Sequence, residues 1–83
     1  MSESDQRALV AAADAYVAAR RDYEHAVTDA AAAYERLEAS PDTLEYQIDW
    51  NLARRAEADA AWRLERAAEA YRTAGGYLAG PGD

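Results

Sequence analysis

The chain has 83 residues, enough for one small domain whose hydrophobic core would be only marginally stabilising. Its formal net charge of −7 disfavours direct nucleic-acid binding, because duplex recognition relies on a basic surface. It has no cysteine, which excludes a disulfide framework and a thiolate metal site.

Alanine supplies much of the apolar content. It is the best helix former, and its small side chain lets helix backbones approach closely. We therefore expect thin, long helices rather than a thick globule. All basic residues are arginine, and lysine and phenylalanine are absent, which is typical of a GC-rich bacterial or phage genome. Charges interrupt every apolar stretch, so we expect a cytoplasmic protein without a membrane span.

The first predicted helix covers residues 4–39. Ser2 or Ser4 can cap it, and Ser2 with Asp5 has the spacing of a capping box. The predicted buried seam steps by four and three residues, as in a heptad repeat. It consists of Leu9, Ala13, Tyr16, Arg20, Tyr23, Val27, Ala30, Tyr34 and Leu37.

A hairpin turn is predicted at Ser40-Pro41-Asp42. The residue before a proline is disfavoured in the α region, whereas proline suits the first turn of a helix. We expect Ser40 or Asp42 to cap the second helix, with Asp42 and Glu45 as a second box-like pair.

The second predicted helix covers residues 42–74, and its seam again steps by four and three. It consists of Tyr46, Trp50, Ala53, Glu57, Ala60, Leu64, Ala67, Tyr71 and Ala74. Gly75-Gly76 is a strong helix stop. The predicted fold is an all-α antiparallel two-helix hairpin over residues 1–76, followed by a flexible tail, 77–83.

Four bulky apolar residues of the second helix fall well away from its seam: Leu44, Ile48, Leu52 and Trp62. A two-helix hairpin buries one stripe on each helix, so these residues need cover from another chain. They are the predicted intermolecular contact, and the simplest assembly is a homodimer that forms a four-helix bundle.

Each predicted seam also holds one charge, Arg20 in the first helix and Glu57 in the second. Within one chain the two are out of step by about five residues, or ~7 Å. A partner chain could match them better, and a polar seam residue commonly sets register and oligomer state. We therefore include both residues in the predicted interface. The alternative is that Arg20 snorkels from the seam edge and Glu57 is solvated.

One pair of residues has the spacing of a helical metal site. Asp22 and His25 stand at i and i+3, and Glu57 is expected at about the same height on the other helix. The pattern resembles encapsulated ferritins, short helical hairpins that build iron sites at a subunit interface. That family has glutamate where this chain has Asp22, and its histidine motif lies on the second helix. We predict no bound metal or cofactor, and read His25 as a solvated histidine.

No constellation for nucleophilic catalysis or phosphate binding is present, so we predict no enzyme. The predicted function is a structural or adaptor module that acts as a homo-oligomer. Its predicted partner is a second copy of the chain, another protein, or both. One alternative is a small acidic inhibitor that mimics nucleic acid towards a basic protein. The other is a metal-binding oxidase.

Overall fold

The computed structural model describes residues 2–78 and shows two long helices and no strand in that range. Helix α1 spans Glu3–Ala39 and helix α2 spans Leu44–Thr73. A short turn joins them, and they pack along each other as an antiparallel hairpin. The predicted all-α antiparallel hairpin is confirmed.

The predicted capping box opens α1. The backbone N–H of Asp5 donates to Oγ of Ser2 (3.1 Å), and the backbone N–H of Ser2 donates to Oδ2 of Asp5 (3.4 Å). Two of the otherwise unsatisfied N–H groups at the helix start are thereby paired. Glu3 and Asp5 also place negative charge in the first turn, where the helix dipole favours it.

The start of α2 was predicted wrongly. The helix begins at Leu44 with Thr43 as its N-cap, so neither Ser40 nor Asp42 caps it. The backbone N–H of Thr43 donates to the carbonyl of Ser40 (3.1 Å) and closes a tight turn over Pro41 and Asp42. Proline with its fixed φ suits the second position of such a turn as well as it suits the first turn of a helix. Pro41 therefore belongs to the turn.

The two glycines end α2 as predicted. Gly75 has a φ of 103°, a left-handed conformation that glycine adopts without steric cost. The N–H of Gly76 donates to the carbonyl of Tyr71 (2.8 Å), and the N–H of Gly75 donates to that of Arg72 (3.0 Å). This is the Schellman arrangement of helix ends. Of the predicted tail, Tyr77 is exposed and Leu78 is half-buried. Residues 79–83 lie outside the described residues.

The buried seam of α1 runs differently from the prediction. Arg20, Val27 and Tyr34 are exposed, whereas the alanines one residue earlier are half-buried or buried: Ala19, Ala26 and Ala33. The predicted seam residue Ala13 is half-buried, and so is its neighbour Ala12. The predicted seam and the observed seam share Leu9, Tyr16, Tyr23, Ala30 and Leu37, so the heptad spacing alone does not distinguish them. We call the observed seam, which has alanines where the two differ, the alanine frame. It is adopted because small side chains let the helix axes approach more closely. The predicted α2 seam is half-buried or buried at all nine positions.

Alanines form the innermost part of the interface between the helices. The only described hydrophobic residues that are buried are Ala30, Ala33 and Ala60, and no described large side chain is fully buried. Two aromatic pairs bracket this alanine segment. Tyr16 stacks on Tyr71 with ring centroids 6.1 Å apart, and Tyr34 packs at a tilt on Trp50 with centroids 5.1 Å apart. Together they fix the antiparallel register.

The molecule is a flat plate, 59 × 27 × 13 Å. An α-helix with its side chains is about 10–12 Å thick, so the smallest dimension corresponds to a single layer of helices. The radius of gyration is 17.2 Å, whereas a compact domain of this length has about 12 Å. Both broad faces of the plate are therefore open surface.

Candidate interaction surfaces

All four α2 residues predicted to contact another chain are exposed. The exposed fractions are 67% for Leu44, 49% for Ile48, and 57% for both Leu52 and Trp62. Helix α1 covers none of them, since they lie off the α2 seam.

The four residues do not form one continuous stripe. Leu44, Ile48 and Leu52 follow one another at i, i+4 and i+8 and make a ridge next to the turn. Trp62 lies ten residues beyond Leu52, or about 15 Å along the helix. Exposed Arg55 and Asp59 lie between them. The ridge and Trp62 are thus two separate apolar features.

An arginine lies over each tryptophan. The guanidinium carbon of Arg66 is 5.3 Å from the centroid of the Trp62 ring, and that of Arg54 is 5.4 Å from that of Trp50. Both pairs have i, i+4 spacing on α2 and lie within the range of a cation–π interaction. Arg66 shields one side of the Trp62 indole and leaves the other side open to a partner.

The two predicted seam charges do not meet. Arg20 lies outside the seam, and its Nε is 3.7 Å from Oε1 of Glu24, an exposed pair on α1. Glu57 lies within the α2 seam and is half-buried. Among residues 2–78, no ion pair or hydrogen bond joins it to another side chain. Because the alanine frame turns Arg20 out of the seam, the expected mismatch in register between two seam charges does not arise within one chain.

A second group of exposed apolar residues, on α1, was not predicted. It comprises Val10 (59% exposed), Val17 (48%), Val27 (39%) and Tyr34 (44%). Each follows a seam residue by one position: Leu9, Tyr16, Ala26 and Ala33, respectively. A step of one residue rotates a side chain by about 100°, so all four lie on the same flank of α1. The seven-residue spacings of Val10 to Val17 and of Val27 to Tyr34 were the signal in the sequence.

The two flanks of each helix define the broad faces of the plate. In an antiparallel pair, residues that follow a seam residue on either helix point to one face, and residues that precede one point to the other. We call the first the valine face, with Val10, Val17, Val27 and Tyr34 of α1. We call the second the groove face. It carries a groove whose lining includes six residues that each precede a seam residue by one position: Asp22, His25, Asp29, Leu52, Ala56 and Arg63.

The candidate metal ligands are divided between the groove face and the seam. Asp22 and His25 line the groove, whereas Glu57 lies in the seam. Among residues 2–78, no three or more histidine, aspartate or glutamate side chains are grouped so that they could hold a metal ion. The residues present do not fit the iron site that the resemblance to encapsulated ferritins implies.

The comparisons with known proteins give no match: no family model, no curated protein and no solved structure is significantly similar to the chain. Neither described helix has a stretch that is long and apolar enough to span a membrane.

Proposed function

We propose that this chain is a non-catalytic protein–protein interaction module, of a structural or adaptor kind, that acts as a homo-oligomer. The observation that carries the proposal is the single layer of helices. Stable domains bury the apolar side of each element in two or more packed layers. This hairpin places only alanines fully inside and leaves eight bulky apolar side chains of its helices at least 39% exposed. Another polypeptide that covers them supplies the missing layer.

The simplest assembly is a two-fold dimer, in which two hairpins form a four-helix bundle. The alternative of an acidic nucleic-acid mimic has less support from the charges. Three of the nine arginines pair with acidic residues at i, i+4 on the helix surface: Glu3–Arg7, Arg20–Glu24 and Asp59–Arg63. Such interleaving breaks up a continuous array of negative charge.

Sedimentation velocity over a range of protein concentrations tests the proposal. We expect the 9.1 kDa chain to sediment as a dimer or larger species, with the monomer only at high dilution. The association is expected to persist in high salt, because it depends on apolar burial rather than on charge. A monomer throughout the concentration range would contradict the proposal.

Trp62 is the predicted anchor of contacts at the outer edge of α2, since buried tryptophans often dominate interface energies. We expect Trp62→Ala to weaken association of the dimer with a further chain at this edge by about 2 kcal/mol or more. The helix content should not change, because the indole lies outside the seam. The matched control is Glu69→Ala, an exposed position seven residues along the same edge.

The measurement compares species larger than the dimer in sedimentation runs of wild type, Trp62→Ala and Glu69→Ala, with circular dichroism as the check on folding. We expect these larger species to form in wild type and the control, and to be lost in Trp62→Ala. Identical size distributions for all three proteins would show that Trp62 contacts no further copy.

A further inference from the structure

The surface area of the hairpin indicates how much of it a partner must cover. The chain exposes 6234 Å². A compact monomeric protein of 9.1 kDa exposes about 4,900 Å², so this chain exposes about 1,300 Å² more. A stable protein–protein interface buries about 800 Å² on each partner. The excess is therefore large enough for one complete dimer interface on each chain.

The bulky apolar residues are divided unequally between the two faces. The valine face has four that are at least 39% exposed, Val10, Val17, Val27 and Tyr34, whereas the groove face has only Leu52. The remaining three, Leu44, Ile48 and Trp62, lie at the outer edge of α2, two residues away from the nearest seam positions. The valine face is thus the more apolar of the two broad faces, and its bulky apolar residues lie along α1.

Charge also distinguishes the faces. Between residues 8 and 73, the valine face carries three basic residues and three acidic ones: Arg20, Arg54, Arg72, Glu24, Glu38 and Glu65. The groove face carries three basic residues and five acidic ones: Arg36, Arg63, Arg66, Asp22, Asp29, Glu45, Asp49 and Asp59. Two copies that meet through their groove faces would place an excess of two negative charges on each side of the interface. Two copies that meet through their valine faces would not, because charges of both signs are equal in number there.

From the area, the apolar distribution and the charge balance together, we propose that the valine face binds the valine face of a second copy of this chain. The inference rests on the proposed homo-oligomer and names the surface that forms it. A two-fold interface uses the same patch on both subunits, so a face without net charge meets itself without repulsion. The outer edge of α2, with Ile48 and Trp62, remains free for a further chain.

The test compares two adjacent residues of α1 that point to opposite faces. Val17 follows the seam residue Tyr16, Ala18 precedes the seam residue Ala19, and both are exposed. Val17→Glu and Ala18→Glu add the same charge to the same helix turn. We expect Val17→Glu to raise the dimer dissociation constant at least tenfold in sedimentation velocity, and Ala18→Glu to change it less than threefold. Circular dichroism verifies that both variants remain helical.

A second readout does not require the dimer to break. Because the natural chain has no cysteine, Val17→Cys and Ala18→Cys can each carry a single nitroxide spin label. As protein concentration rises through the dimer transition, the label at position 17 should lose mobility in the electron spin resonance spectrum. The label at position 18 should keep its mobility.

The outcomes separate this inference from the proposed function. If the protein dimerises but Ala18→Glu disrupts the dimer and Val17→Glu does not, the groove face is the interface and the inference is wrong. A dimer that is lost only on Trp62→Ala likewise assigns the interface to the outer edge of α2 and overturns the inference. In both cases the homo-oligomer stands. If the wild type is monomeric at every concentration, the proposed function itself fails.

Discussion

At the scale of single residues, alanine is the core residue of this protein. Ala30 and Ala33 of α1 and Ala60 of α2 are 2–3% exposed, more deeply buried than any other described hydrophobic residue. A buried alanine contributes little apolar area by itself, but it permits a short distance between helix axes. The flanking aromatic rings then contact each other across the interface. The stability of the hairpin therefore depends on small side chains at a few positions.

Ala33→Leu tests this dependence. A leucine at this position must either displace Tyr34 and Trp50 from their packed pair or push the helices apart, and we expect a loss of about 1–3 kcal/mol in the free energy of unfolding. Ala32→Leu is the control, because Ala32 is exposed and its substitution should change stability by less than about 0.5 kcal/mol. Urea unfolding at one fixed protein concentration measures both, since association contributes to apparent stability. Equal stability of the two variants would contradict an alanine-dependent seam.

Arg20 shows which features of the α1 seam could be predicted from the sequence and which could not. The period of the seam was predicted correctly, and Glu57 lies in the α2 seam as expected. The predicted seam of α1 was wrong at Arg20, Val27 and Tyr34, because these larger residues were preferred over the alanines one position earlier, which continue the same period. How closely the alanines let the helices approach depends on the facing helix. The sequence of α1 alone therefore does not show which of the two seams is buried. The same error hid the valine face, as Val27 and Tyr34 had been assigned to the seam.

At the scale of elements, the start of α1 and the end of α2 are determined by residues adjacent in sequence. The start of α2 is not. The capping box at Ser2 and the Gly75-Gly76 stop depend on residues close in sequence, and both were predicted. The start of α2 depends on how the turn pairs its backbone groups. The side-chain amide of Gln47 donates to the carbonyl of Pro41 (2.8 Å), and Thr43 makes no side-chain capping bond. Several capping residues stood next to one another, and the sequence did not distinguish among them.

Gly76 links the end of α2 to the packing of the hairpin. A Cβ atom built at Gly76 would overlap the ring of Tyr71, which stacks on Tyr16. We expect Gly76→Ala to displace that ring and to lower the free energy of unfolding by about 1 kcal/mol, the usual energy of an aromatic pair. In a Tyr71→Ala background the same substitution should cost much less, because no ring remains to be displaced. A double-mutant cycle from urea unfolding measures this coupling. Additive effects would show that Gly76 acts only through its own backbone.

At the scale of the whole molecule, the main feature is a plate one helix thick. The sequence predicted the two long helices and an excess of apolar surface that needs another chain. It placed that excess on α2 alone, because the exposed residues of α1 were counted as core. The structure adds a second apolar surface, along α1, on a broad face whose charges are balanced. Which residues share a broad face follows from the relative orientation of the helices, a property that the period of either helix alone does not give.

Small-angle X-ray scattering tests the central claim most directly, because it measures mass and shape in one experiment. A second copy on the broad face doubles the mass from 9.1 kDa and thickens the particle, while its long dimension stays close to 59 Å. For Trp62→Ala, in which the species larger than the dimer are expected to be lost, we therefore predict twice the monomer mass and a particle two helix layers thick. A particle of monomer mass with a radius of gyration near 17.2 Å at every concentration would contradict the claim, and so would an end-to-end assembly about twice as long.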